Sequence, residues 1–266
     1  YYRFKSQAAL ERIEKHGKTH RKWKEEVLAK ATRNNSLRAF DKLTDVVDGR
    51  RVIVPDPPLI VRADDMIAAD ESDAVGKFLD RYRQSLPLDR RTLLDRFSLV
   101  DIARKVVGVG SVGTRCLIVL LEAGDGTPLF LQFKQAMPSV LEAHLGASAF
   151  EQAGQRVVEG QRLIQATSDV LLGWARWQQP GGQEIDFYFR QLWDGKGKIN
   201  IEELGPDRLA AYAGLCGKTL AFAHARGAVL VTCNRDDFLS LAKNLPHSGI
   251  VILIRRATRA LECSRF

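Results

Sequence analysis

The chain has 266 residues, 45% hydrophobic and 27% charged, with 40 Lys/Arg against 32 Asp/Glu and a formal net charge of +8. This composition excludes a disordered chain and allows one large or two small cores, and no apolar run reaches the roughly 18 residues of a membrane-spanning helix. Residues 1–50 carry 13 Lys/Arg against 7 Asp/Glu, residues 51–227 carry 21 against 22, and residues 228–266 carry 6 against 3, so the basic character lies at the two ends and argues against a basic nucleic-acid-binding face on the folded middle.

From the N-terminus, Ala9, Leu10, Ile13, Trp23, Val27 and Leu28 recur at helical spacing and predict helix over residues 6–46, interrupted at His16–His20. The opening residues, Tyr1-Tyr2-Arg3-Phe4-Lys5, include neither an initiator Met nor an apolar signal core, which predicts a chain that begins inside a longer protein. Val46-Val47 and Arg51–Val54, around Asp48-Gly49, predict a small hairpin, and Pro55-Asp56-Pro57-Pro58 ends regular structure. Helices are expected over 72–85 and 89–97. Near residue 99 the pattern turns to strands: Lys105–Gly108, Cys116–Leu121 and Leu129–Lys134, the last two joined by the turn Gly124-Asp125-Gly126. A short helix over 139–144 and a longer one over 151–167 follow, the latter with Val157, Val158, Gln161, Leu163 and Ile164 on its apolar side. Leu171–Trp177 and Asp186–Leu192 predict two more strands around Pro180-Gly181-Gly182. Pro206-Asp207 starts a helix to about Arg226, with Leu209, Tyr212, Ala213, Cys216, Leu220 and Ala223 on one face.

The expected fold class is α+β: N-terminal helices, then a five-stranded antiparallel sheet in the order β-β-β-α-β-β with a packed helix, then a C-terminal helix. Four widely spread cysteines, Cys116, Cys216, Cys233 and Cys263, fit neither a zinc site nor a disulfide scaffold and suit a reducing cytoplasm. His16 and His20 lack a third metal ligand.

Gly108-Val109-Gly110-Ser111-Val112-Gly113 fits G-x-G-x-x-G. A dinucleotide site would need a helix next; the β-branched run after Cys116 predicts a strand and favours the glycine-rich hairpin of kinases. There, glycines that lack a Cβ let backbone N–H groups approach phosphate oxygens. The alternative is a plain β-turn needing positive φ. Lys134 stands in the third strand, where a kinase places its phosphate-gripping lysine; the alternative is a lysine on a solvated strand face. Glu159, with Glu151 behind it, is the helix carboxylate to hold that lysine; the alternative is a surface Glu paired with Arg156 or Arg162. Arg190 and Gln191 fall where a kinase sheet passes into the hinge that meets adenine. His224-Ala225-Arg226 and Asn234-Arg235-Asp236-Asp237 do not match a catalytic loop and its metal-binding Asp.

The run Asp101–Cys116, with Pro128–Ala136, Arg156–Arg162, Leu172-Gly173-Trp174, Asp186–Leu192 and Tyr212–Arg226, resembles a bacterial family catalogued as domain of unknown function 2252. The resemblance covers residues 1–227 and implies a distant relative of kinases and aminoglycoside phosphotransferases. It also implies a Gly-Asp-x-His-x-x-Asn segment and an Asp-rich segment, which this chain lacks. The resemblance ends after Gly227, as a frameshift would produce. The resulting expectations are a helical region over 1–98, a kinase-like nucleotide-binding lobe over 99–193, a helical segment over 194–227 and an atypical tail over 228–266. The chain would be a fragment that binds ATP through Gly108, Gly110, Ser111, Gly113, Lys134 and Glu159, without turnover and without a magnesium site. The acceptor substrate stays unknown, with no membrane or nucleic-acid partner expected. A non-enzymatic structural or binding protein is the alternative, and weak nucleic-acid binding through residues 1–50 is another.

Overall fold

Val75, Phe78, Leu79 and Tyr82 stand three and four residues apart and are all buried. This stripe makes Ser72–Gln84 an amphipathic helix, α2. It belongs to a computed structural model that describes residues 23, 25–27, 29, 36–62, 72–106, 113–165, 168–179, 182–192, 199–225, 230–232 and 250–252. Gly108, Gly110, Ser111, the helix break at His16–His20, Arg226 and Asn234–Asp237 lie outside the described residues.

The chain divides into two compact units: residues 1–137, 150–158 and 169–203 form the first, and residues 138–149, 159–168 and 204–266 the second. In the first unit, α1 (Ser36–Leu43) leads into the antiparallel pair β1 (Thr44–Val47) and β2 (Arg50–Ile53), the predicted hairpin. After β3 (Ile60–Arg62), α2 and α3 (Leu88–Leu94) come β4 (Phe97–Lys105), β5 (Cys116–Ala123) and β6 (Pro128–Ala136). The helix α5 (Ala153–Ile164), whose residues up to Val158 fall in this unit, precedes β7 (Gly173–Gln178) and β8 (Glu184–Gln191).

Six strands make one sheet in the order β3-β4-β5-β6-β8-β7, every neighbouring pair antiparallel. The expected count was five. The extra edge strand, β3, has three residues directly after the proline cluster, too short to give an alternating pattern. The strand expected over Lys105–Gly108 is instead β4, which takes residue 97 from the expected helix and ends at Lys105. Asp101 disguised it. Its carboxylate lies buried beside a register shift between Leu99 and Asp101, where it accepts from Ile53 N (2.7 Å) and Ile102 N (2.8 Å). A charged residue in the middle of a run therefore did not end the strand, because the bulge let it face backbone donors.

Both faces of the central strands are covered, which is why β5 is buried along almost its whole length. Leu117, Val119, Leu121, Leu131, Phe133, Phe187 and Phe189 share one face and pack with the α2 stripe. On the opposite face Ala103, Ile118, Leu120 and Phe130 pack with Ala39, Leu43 and Ile53, contributed by α1 and β2.

The second unit holds α4 (Glu142–Leu145), α5 from Glu159 onward, α6 (Pro206–Ala225) and the short parallel pair β9 (Leu230–Thr232) and β10 (Ile250–Ile252). Of the residues that the sequence places on one face of α6, from Leu209 to Ala223, only Ala223 is buried, and Leu209 and Leu220 are exposed. Apolar residues lie on every side of this helix, so spacing alone selected no inner stripe. Along α5 the predicted apolar side is reduced in the same way, with Val158 buried and Leu163 and Ile164 exposed.

Candidate functional site

Alternation along each strand assigns its side chains to the two faces, and the register shows which meet. Cys116 stands opposite Lys134, Lys134 opposite Tyr188, and Tyr188 opposite Trp174. Arg104 is opposite Leu117, so Lys105, one residue on, closes the row at β4. Lys105, Cys116, Lys134, Tyr188 and Trp174 thus cross five strands on one face. One step further into the sheet lies a second row, in which Ile118 stands opposite Gln132 and Gln132 opposite Arg190.

These rows continue the face whose other end is closed by α1 and β2. The change is from apolar to polar: Phe130 and Leu120 are fully buried, whereas Lys134, Tyr188, Arg190 and Lys105 are half-buried. At the β7 side the start of α5 sits directly on the strands. Ala153 N donates to the Asp186 carboxylate (2.7 Å), and a Cβ on Gly154 would overlap Phe187 O and lie 3.2 Å from Trp174 Cβ. Glycine at 154 is what lets the helix come so close.

The electrostatics follow from this crowding. Burial pushes the Cys116 thiol above its ordinary value, against the opposing pull of Lys134, Arg190 and Lys105, so the thiol stays protonated at neutral pH. Burial lowers the Lys105 ammonium, opposed by Asp56 and by Cys116. Burial also raises the Tyr188 phenol, with Arg190 acting against it. Gln132, 2% exposed, donates from Nε2 to Cys116 Sγ (3.4 Å) and accepts at Oε1 from Arg190 Nε (3.1 Å) and Nη2 (2.8 Å).

The glycine segment joins the Lys105 end of β4 to the Cys116 end of β5, so it leaves and re-enters the sheet at the two-lysine row. Of its candidate residues only Gly113 is described; its φ of +82° is the left-handed conformation that favours glycine. The next element is the antiparallel strand β5, not the helix a dinucleotide-binding turn requires. Glu159 falls in the second unit, where its carboxylate accepts from Arg162 Nη1 at 2.9 Å. Gln191 ends β8 with its N and Nε2 on the Asp169 carboxylate (2.7 and 3.0 Å).

Sequence reasoning singled out Lys134 but not Lys105, Cys116, Gln132 or Tyr188 as its neighbours. Parity on β6 already put Gln132 and Lys134 on one face; which residues lay across from them depended on a register the sequence does not print. Among the described residues no group of three metal-ligating side chains occurs, and no helix is long and apolar enough to cross a membrane.

A family model described as an uncharacterized protein conserved in bacteria, domain of unknown function 2252, matches residues 2–244. The match runs past Gly227, where the resemblance was expected to end, and takes in the first part of the tail. No curated protein and no solved structure matches the chain.

Proposed function

The chain belongs to the bacterial family of domain of unknown function 2252, and from that premise we propose that the polar sheet face binds the phosphates of a nucleotide, ATP, without transferring them. The observation that carries this reading is the row Lys105–Cys116–Lys134–Tyr188, placed where the glycine segment joins β4 to β5. Two ammonium groups beside a segment rich in glycine offer point charges and close backbone N–H donors to phosphate oxygens. The sheet supports the reading further: β4, β5 and β6 run consecutively, α5 follows, and β8 lies between β6 and the edge strand β7, the kinase-like β-β-β-α-β-β succession.

In this reading Lys134 is the principal phosphate contact, Lys105 adds charge, and Gly108, Gly110, Ser111 and Gly113 supply the cradle. In this reading magnesium adds little and turnover stays at background.

Titration calorimetry with ATP, with and without magnesium, tests this on the wild type and Lys134→Met. Methionine keeps the length and volume of the lysine stem. Weak binding by the wild type, lowered about tenfold or more in the variant, is expected for the loss of one charge-assisted contact. A folded wild-type chain that binds no ATP overturns the reading. Magnesium-dependent hydrolysis overturns its claim of binding without turnover.

A further inference from the structure

Several arginine side chains in the first unit are matched by acids, and others donate to backbone carbonyls, as Arg81 does to Arg176 O, Arg91 to Gln84 O and Arg156 to Met137 O. Arg176 reaches Asp186 (2.6 Å) and Glu184 (2.8 Å), Arg83 reaches Asp80 (3.0 Å) and Asp95 (3.8 Å), and Arg62 stands 3.8 Å from Asp101. Arg190 differs. It is half-buried on an interior strand, and among the described residues no carboxylate pairs with it; its Nε and Nη2 are held instead by the neutral Oε1 of Gln132. Gln132 is fixed in turn. It is buried, and the same amide donates to Cys116, so its oxygen cannot turn away without bringing donors against donors.

A half-buried guanidinium costs desolvation free energy, and a neutral amide returns only part of it. The thiol beside it stays protonated and supplies no charge. Two of the five guanidinium N–H groups are spent on Gln132; among the described residues the others meet no acceptor. Lys134 lies diagonally across the same face, one row further on. Diagonal neighbours in a sheet stand about 7–8 Å apart, within reach of two long side chains closing on one anion.

We propose that Arg190 is a second anion-binding residue of this face and that Gln132 is the positioning residue that aims it, so that the face selects a polyphosphate group. The inference rests on the phosphate reading above and adds to it a specific pair of residues and a preference for multiple negative charge. A carboxylate at position 132 would neutralise the guanidinium from within; the glutamine orients it and leaves its charge for a ligand.

The probes are sodium tripolyphosphate and adenosine, titrated separately from ATP against the full chain. The wild type should bind tripolyphosphate. Arg190→Gln and Gln132→Glu should each weaken that binding about tenfold or more, Arg190→Lys should recover part of the loss, and adenosine binding should not change. A merely structural role for Gln132 would not separate the two probes. Gln132→Glu keeps the side chain's length and its acceptor toward Arg190, giving up only the donation to Cys116, so it decides the matter if Arg190→Gln fails to fold. Unchanged tripolyphosphate affinity in a folded Gln132→Glu variant, with loss in Lys134→Met, overturns the role of Arg190 and leaves the phosphate reading standing. Arg190-dependent tripolyphosphate binding by a wild type that ignores ATP supports the clamp and overturns the nucleotide reading. A folded wild type that binds neither probe overturns both.

Discussion

The two faces of the six-stranded sheet use the same strands for different purposes. Toward α2 the face is closed by an aromatic cluster: Phe189 stacks on Tyr82 (ring centroids 4.0 Å apart, 11° between planes) and on Phe133 (5.0 Å), with Phe78 and Phe187 at its edges. Toward α1 the face begins apolar at Leu120 and Phe130, turns polar at Gln132 and becomes cationic at Lys134 and Arg190. One face is finished by packing, and the other stops packing where charge begins. The α2 face carries the aromatic cohesion, and the far end of the opposite face carries polar and charged groups in its place.

The sharpest way to break this comparison is on the aromatic side. Phe189→Ala removes a fully buried ring from the centre of the cluster. It should cost about 3–5 kcal/mol, measured by urea denaturation. A cost below about 1 kcal/mol would mean that this face does not hold the unit together.

The next effect belongs to the seat of α5. Gly154→Ala gains up to about 1 kcal/mol of helix propensity, but the new Cβ meets the Phe187 carbonyl, backbone that cannot swing aside. Overpacking of this kind costs about 1–3 kcal/mol, so a net loss is expected in a thermal melt. A variant more stable than the wild type would show that the helix can lift off the strands.

Tyr82 gives a smaller, pH-dependent effect. Its hydroxyl donates to Leu171 O (2.7 Å), and Tyr82→Phe should cost about 1 kcal/mol at neutral pH. Burial holds the phenol well above its ordinary value, whereas in the unfolded chain it ionises near pH ~10. Above that pH the unfolded state has lost the proton that the folded state keeps. Its contribution is therefore complete below about pH 10 and declines as pH rises further. Denaturation curves from pH 8 to 11 should show a shallower alkaline decline for Tyr82→Phe than for the wild type, and parallel declines would count against the assignment.

The smallest stability effect is expected on the polar face. Lys134→Met should change stability by no more than about 0.5 kcal/mol, the usual range for a half-exposed polar position. It should still lower ATP affinity as stated above. A large loss of stability would erase the contrast between the faces and make Lys134 part of the framework.

Much of the element order was legible. The stripe Val75–Tyr82 encodes α2 because a helix repeats every 3.6 residues, and the apolar runs at 116–123 and 128–136 encode central strands because both their faces are covered. The hairpin around Asp48-Gly49 was readable from its turn residues. Strand β4 was not, because Asp101 looks like a break until Ile53 N and Ile102 N are seen to satisfy it. The exposed sides of α6 were not legible either, since a helix that is apolar on every side carries no direction.

The candidate site divides in the same way. Sequence alone determined that a lysine sits on a strand after a glycine segment, because alternation and turn chemistry act over a few neighbouring residues. Tertiary structure alone decided that Lys105, Cys116, Lys134 and Tyr188 form one row and that Gln132 meets Arg190, residues 58 positions apart in the chain. Strand register is fixed by the fit of whole faces against α1 and α2, and a slip of one residue would turn every one of these side chains to the other face.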